Sequence, residues 1–169
     1  EKYLGLKHAI LFNNGTSALH AALSFYGIKK GDEVIVPTLS YISSANVVVY
    51  CGAKPIFCEV DPDTFNVDAK EIIKKITKKT KAIITVDLKG MPVDYDNLKK
   101  KLKKFKIPLI SDSAEAFGAI YKKKKVGSQF DMHSFSFFAN KNMTMGEGGL
   151  VTTNNKKMAE ACKIIRNQG

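Results

Sequence analysis

Arginine is nearly absent: of 27 basic residues only Arg166 is an arginine, and the rest are lysines. Against 16 acids they give a formal net charge of +11, a field that attracts anions, nucleic acid included. Base-reading and bidentate phosphate sites rely on the planar guanidinium fork, which lysine lacks. The lysines gather at Lys74–Lys81, Lys99–Lys106 and Lys122–Lys125, on expected helix faces and a turn. Solvated faces are therefore expected there, and no nucleic-acid partner. Cysteine is scarce too: Cys51, Cys58 and Cys162 form an odd set without C-x-x-C spacing. That argues against a disulfide framework or zinc site and fits a reducing cytoplasm. His8, His20 and His133 also lack metal-ligand spacing, so packing roles are expected and no metal site. No apolar run approaches the roughly 18 residues of a membrane-spanning helix, and no membrane partner is expected. The chain opens on Glu1 with neither Met nor a signal-peptide layout, and is expected to be the interior of a longer protein.

What is present is regular. The 169 residues, 44% hydrophobic and 25% charged, can bury one sizeable core. Short β-rich runs at His8–Phe12, Glu33–Pro37, Pro55–Val60, Ala82–Asp87 and Pro108–Ser111 alternate with helical spacing. The helical stretches are Ser17–Tyr26, Ile42–Tyr50, Ala69–Ile76 and Tyr95–Phe105, with Gly27, Gly52 and Gly90 as punctuation. This order predicts an α/β fold: a mainly parallel sheet covered by helices on both faces. Beyond Pro108 the rhythm loosens. Ala119–Tyr121 and Val126 flank a lysine turn, Ser134–Phe138 and Gly148–Thr153 read as strands, and Lys156–Arg166 is a closing helix.

In an open parallel sheet, ligands bind beyond the carboxyl ends of the strands, so the residues after each strand matter most. Asn13-Asn14-Gly15-Thr16-Ser17-Ala18-Leu19 follows the first. A glycine and two hydroxyl residues opening a helix make either a phosphate cradle or an ordinary N-cap. Tyr41 follows the second strand, where it could stack on a planar ring or pack at a helix start. Asp112 ends the Pro108–Ser111 run as a carboxylate near an apolar core, or as a helix cap with Glu115 completing a capping box. Lys141 follows Ser134–Asn140 and precedes Gly146-Glu147-Gly148-Gly149. Partial burial would favour a nucleophilic amine there; the alternative is a lysine reaching back to solvent. Taken in order, cradle, aromatic, acid and lysine are the parts that pyridoxal phosphate (PLP) requires.

Those motifs resemble the DegT/DnrJ/EryC1/StrS sugar aminotransferases, PLP enzymes of the aspartate-aminotransferase (type I) fold. The likeness extends through Gly31–Pro37, Gly52–Pro55, Asp61–Thr64, Asp112–Ala116, Ser134–Lys141, Gly146–Gly149 and Arg166-Asn167-Gln168-Gly169. It implies a three-layer α/β/α sandwich, the large domain of a type I PLP-dependent transferase. Residues 1–169 would be that PLP-binding domain, with an N-terminal segment and a C-terminal small domain lying outside them, and a poor catalyst alone. By position, Lys141 is similar to the Schiff-base lysine and Asp112 to the partner of the pyridine nitrogen. Tyr41 resembles the ring-stacking residue, and Thr16, Ser17 and Ser136 resemble phosphate ligands. Glu115 stands near the ring hydroxyl, as in the perosamine-synthase-like branch, which aminates C4 of a nucleotide-linked 4-keto-6-deoxyhexose. The resemblance implies an amino-acid donor (glutamate), a nucleotide-sugar acceptor and a homodimer with shared sites. Dehydratases of the same fold carry His in place of the lysine, so Lys141 argues against that alternative. Lys89 stands where members often carry Tyr.

Overall fold

The computed structural model describes residues 1–167; Gln168 and Gly169 of the closing motif lie outside them. Nine strands and five helices follow in chain order. They are β1 (His8–Phe12), α1 (Gly15–Phe25), β2 (Glu33–Pro37), α2 (Ser43–Tyr50), β3 (Lys54–Cys58), α3 (Ala69–Lys75) and β4 (Thr80–Val86). After these come α4 (Tyr95–Leu102), β5 (Leu109–Asp112), β6 (Ile120–Tyr121), β7 (Lys124–Lys125), β8 (Met132–Ser136), β9 (Gly149–Thr153) and α5 (Lys156–Arg166). Seven strands form one sheet in the order β1-β9-β8-β5-β4-β2-β3, and β6 and β7 form a separate ribbon. Within the large sheet β9 alone runs against its neighbours, so the mainly parallel expectation holds.

Strand alternation divides the interior into two cores. Val34, Val36, Ile84, Ile110, Met132 and Val151 pack under α1, α2 and α5. Their strand neighbours Ile35, Ile83, Leu109, Phe135 and Leu150 face α3 and α4. Helices on both faces complete the three layers. The lysine faces follow the same logic in α4, where Tyr95, Leu98 and Leu102 are buried while Lys99, Lys100 and Lys101 point to solvent. Asp94 caps that helix by accepting from the Asn97 N–H. The cysteines are all free thiols. No helix of the described residues is long and apolar enough to cross a membrane.

The sequence misplaced some ends. Helix α1 starts at Gly15 with Asn14 as its cap, so Thr16 and Ser17 lie inside its first turn. Strand β8 covers Met132–Ser136 rather than Ser134–Phe138. Its alternating pattern runs past the point where pairing stops, since Phe137 donates its N–H to the Gly148 carbonyl outside the strand ladder. No helix follows Asp112, so the capping-box alternative fails. The Asp112 carboxylate instead accepts from the Ala114 N–H, two residues on.

Two glycines draw α1 onto the sheet. A Cβ at Gly15 would sit 2.9 Å from the Ser136 Cβ, and one at Gly149 would overlap the Asn14 carbonyl. Backbone sits against backbone at the second junction, so neither side can yield cheaply. Gly149→Ala should cost about 3 kcal/mol and lower Tm by roughly 10 °C in calorimetry. An unchanged Tm would mean that the helix can lift off the sheet without loss.

Candidate active site

Parallel β5 and β8 end side by side, with Asp112 paired to Ser134 in register. One step of alternation then decides which way each side chain faces. Asp112 follows Ile110 toward the α1 and α2 layer, whereas Ser111 and Ser113 turn to the α4 side. Asp112 is buried, at 6% exposure, and its partners are neutral: the Ser44 hydroxyl at 3.0 Å and the Ala114 N–H at 3.2 Å. Ser44 is bonded in turn to the Ser40 hydroxyl at 2.6 Å. Burial, more than these bonds can offset, pushes the Asp112 carboxyl up to about 6. The charge on Lys141 is close enough to act in the opposite sense.

Lys141 follows the turn after β8, where its N–H bonds the Phe138 carbonyl. Its side chain is 14% exposed, and Nζ lies 3.3 Å from Glu115 Oε1. The other oxygen of Glu115 accepts from the Lys89 backbone N–H at 2.7 Å. That hydrogen bond depends on an unusual turn, with Lys89 in the left-handed region (φ 52°) and Gly90 beside it at φ 80°. At Gly90 even a Cβ would come within 3.1 Å of the Glu115 carbonyl oxygen, so β4's exit and the Glu115 turn are packed backbone to backbone.

Thr16 and Ser17 sit half-buried in the first turn of α1, with the Ser17 N–H given to the Asn14 side chain. The Gly15 junction sets this turn against Ser136, whose hydroxyl accepts from the Phe138 N–H. A helix N-terminus with free hydroxyls is suited to a phosphate by dipole and donors together. Tyr41, 72% exposed, stands after β2, one residue beyond the Ser40 that leads to Asp112. Lys141, Asp112 and Glu115 are thus tied into one electrostatic cluster, with the Ser136 and α1 junction at the neighbouring end of β8.

The sequence did not single out Ser40 or Ser44, and it marked Lys89 and Gly90 only as a departure from the family pattern and a turn signal. Ser44 lies in the first turn of α2 and Ser40 three residues before that helix begins, so no helical spacing marks the pair. No sequence signal placed the Lys89 N–H on Glu115. A surface cleft lined by Lys103, Lys106, Asp131 and Asn155 lies at the opposite end of the sheet and contains none of these residues.

The profile of the DegT/DnrJ/EryC1/StrS aminotransferase family matches residues 1–169. GDP-perosamine synthase of Caulobacter vibrioides is 51% identical over 167 residues, covering 99% of this chain and 45% of that protein. The GDP-perosamine synthase of Escherichia coli O157:H7 is 48% identical, covering 97% of this chain and 45% of that protein. Among solved structures, DesV of S. venezuelae with a ketimine intermediate superposes with a TM-score of 0.94 at 36% identity. That superposition covers 98% of this chain and 45% of the DesV chain. The chain therefore spans less than half the length of the relatives it matches. Enzymes of this family depend on PLP. The chain belongs to the DegT/DnrJ/EryC1/StrS aminotransferase family.

Proposed function

We propose that residues 1–169 form the cofactor-binding large domain of a PLP-dependent nucleotide-sugar aminotransferase. The amino donor in this reading is glutamate, and the acceptor is C4 of a nucleotide-linked 4-keto-6-deoxyhexose. The observation that carries it is the cluster at the ends of β5 and β8: an acid buried among neutral donors, with a half-buried lysine paired to a second acid. The residues fit the cofactor. Asp112 has a desolvated carboxyl whose bonded partners, the Ser44 hydroxyl and the Ala114 N–H, are both neutral, so a pyridinium N–H would be a fitting charged partner. Thr16, Ser17 and Ser136 would hold the phosphate, and Tyr41 would cover one ring face. When bound, PLP supplies an electron-accepting ring and a carbonyl through which amino groups are exchanged.

The chain's own residues then have separable tasks. Asp112 would keep the ring nitrogen protonated by holding a negative charge against it. Lys141 Nζ is the amine that would hold the cofactor's carbonyl carbon, and once free it would take up or return a proton at the donor Cα. Glu115, fixed by the Lys89 N–H, receives the Lys141 ammonium when that amine is free. The GDP-perosamine synthases among the relatives support the sugar reading.

A homodimer and a cytoplasmic location belong to the same proposal. Tyr41, Ile42, Val49 and Tyr50 leave apolar surface exposed around α2, and the free thiols suit a reducing compartment. The test is incubation of the full-length protein with PLP, glutamate and GDP- or dTDP-linked 4-keto-6-deoxyhexose. Amino sugar and 2-oxoglutarate should form together. Loss of the sugar hydroxyl without amine transfer would replace this reading with a dehydratase, and no turnover of any keto sugar would overturn the substrate class.

A further inference from the structure

Behind Asp112, on the α4 side of the sheet, lies a polar cluster that the proposed chemistry does not use. Asp87 follows β4 and is fully buried. Its Oδ1 accepts from the Val93 N–H at 3.1 Å. Its Oδ2 accepts from the hydroxyls of Tyr95 at 2.6 Å, Ser111 at 2.9 Å and Ser113 at 2.5 Å. Burial pushes the Asp87 carboxyl above the usual range, and four donated bonds pull it back. Such a shell, with donors only, is built for a carboxylate.

His133 of β8 fixes the direction of the chain of bonds. Its Nε2 accepts two backbone N–H groups, from Gln129 and Phe130, each at 3.1 Å. The ring is buried, and that burial holds it neutral by lowering its pKa to about 3. Its one proton therefore sits on Nδ1 and points at the Ser113 hydroxyl, 2.9 Å away. Ser113 has only one proton of its own to give, and gives it to Asp87. The relay runs one way: His133 Nδ1–H to Ser113, and Ser113 O–H to Asp87.

Ser113 is the residue between Asp112 and Ala114. The backbone of this segment is held on both sides, since Asp87 N–H bonds the Asp112 carbonyl and Ser113 N–H bonds the Ser134 carbonyl. The Ser113 carbonyl then accepts from Ala116, closing the turn that presents Glu115. From this geometry we propose that Asp87 and His133, acting through Ser113, are positioning residues that set the attitude of Asp112 and Glu115 toward the cofactor. The inference rests on the reading of Asp112 and Glu115 given above. It assigns a site task to groups that touch neither cofactor nor substrate.

The test uses full-length protein and three variants. Ser113→Ala removes the link while leaving Asp87 three donors, so the fold retains its buried acceptor. Asp87→Asn turns an amide toward hydroxyls that need an acceptor and should give the same pattern. Tyr95→Phe removes one donor from Asp87 but keeps the link, and reports the purely structural cost. In the cofactor-free protein, hydrogen exchange at Ala114, Glu115 and Ala116 should quicken about tenfold or more in Ser113→Ala and stay at the parent rate in Tyr95→Phe. The dissociation constant for PLP, read from its visible absorbance, should rise about tenfold in Ser113→Ala and less than about twofold in Tyr95→Phe. Parent-like exchange and affinity in Ser113→Ala, or equal effects in Ser113→Ala and Tyr95→Phe, would overturn the assignment. A parent protein with no cofactor absorbance would overturn the reading of the site instead, and exchange would still decide whether Asp87 holds the segment.

Discussion

Lys141→Arg in the full-length protein should abolish covalent capture of PLP and slow amine transfer at least a thousandfold, on the order expected for loss of a nucleophile that is also the base. Arginine keeps the positive charge that meets Glu115 Oε1 at 3.3 Å, so the ion pair is spared as far as it can be. What disappears is the amine, because a guanidinium does not lose its proton in this range. Lys141→Ala, by contrast, removes amine and ion pair together and leaves the Glu115 carboxylate bonded to the Lys89 N–H alone. Similar rates in the two variants would locate the loss in the amine. A direct check is borohydride reduction of the PLP-loaded parent followed by peptide mapping. The label should fall on the peptide holding Lys141; label on any other of the lysines would remove the assignment, as would near-parent turnover by Lys141→Arg.

Much of this geometry was legible in the residues because period-2 and period-3.6 patterns report burial directly. The runs Glu33–Pro37 and Tyr95–Phe105 are patterned for a buried strand and a one-sided helix; the strand forms over those residues, and the α-helix covers Tyr95–Leu102. Lysine clustering could be read as solvated surface for the same reason. The order of Gly15, Asp112 and Lys141 along the chain marks the candidate site because each stands at or beyond the end of a strand, and strands that run the same way end at one edge. Strand ends were less legible. Nothing in Phe137 or Phe138 says where pairing stops, since that is decided by the partner strand β9 and by the Gly148 carbonyl.

The polar cluster was not legible at all. Asp87, Ser113 and His133 are far apart in sequence, and as single residues they carry no pattern. His133 in particular reads as a packing residue. What makes it a directed donor is two backbone N–H groups from the turn at Gln129 and Phe130, a tertiary fact. The Glu115 contact is of the same kind, depending on a lysine in a left-handed turn that propensity disfavours. The Lys89 turn conflicts with local preference near the candidate site, where a fold can hold strain if its surroundings are rigid enough.

Asp112→Asn should move activity and stability in opposite directions. The carboxyl is raised to about 6 by burial, against the ordinary value of 3.8, so the folded cofactor-free chain binds a proton more tightly than the unfolded one. The favourable contribution is fully present below pH 4 and is lost as pH rises to about 6 and beyond, where the carboxylate must sit desolvated. At neutral pH the cost is on the order of 3 kcal/mol. Asparagine removes it, and the site can accept the amide. Its oxygen can keep the Ala114 N–H, and its NH₂ can donate to Ser44 if that hydroxyl turns to Ser40, 2.6 Å away. Cofactor-free Asp112→Asn should therefore melt higher than the parent at pH 7 and match it more closely near pH 4. Turnover should fall by about a hundredfold or more, because a neutral amide cannot hold the ring nitrogen in its protonated, electron-withdrawing form. PLP should still bind through its phosphate at the α1 terminus. Calorimetry across pH 4 to 8, with rates on the same samples, reads both effects. A variant that loses stability at pH 7, or that turns over at the parent's rate, would show that Asp112 is not a charge kept in place at a cost to the fold.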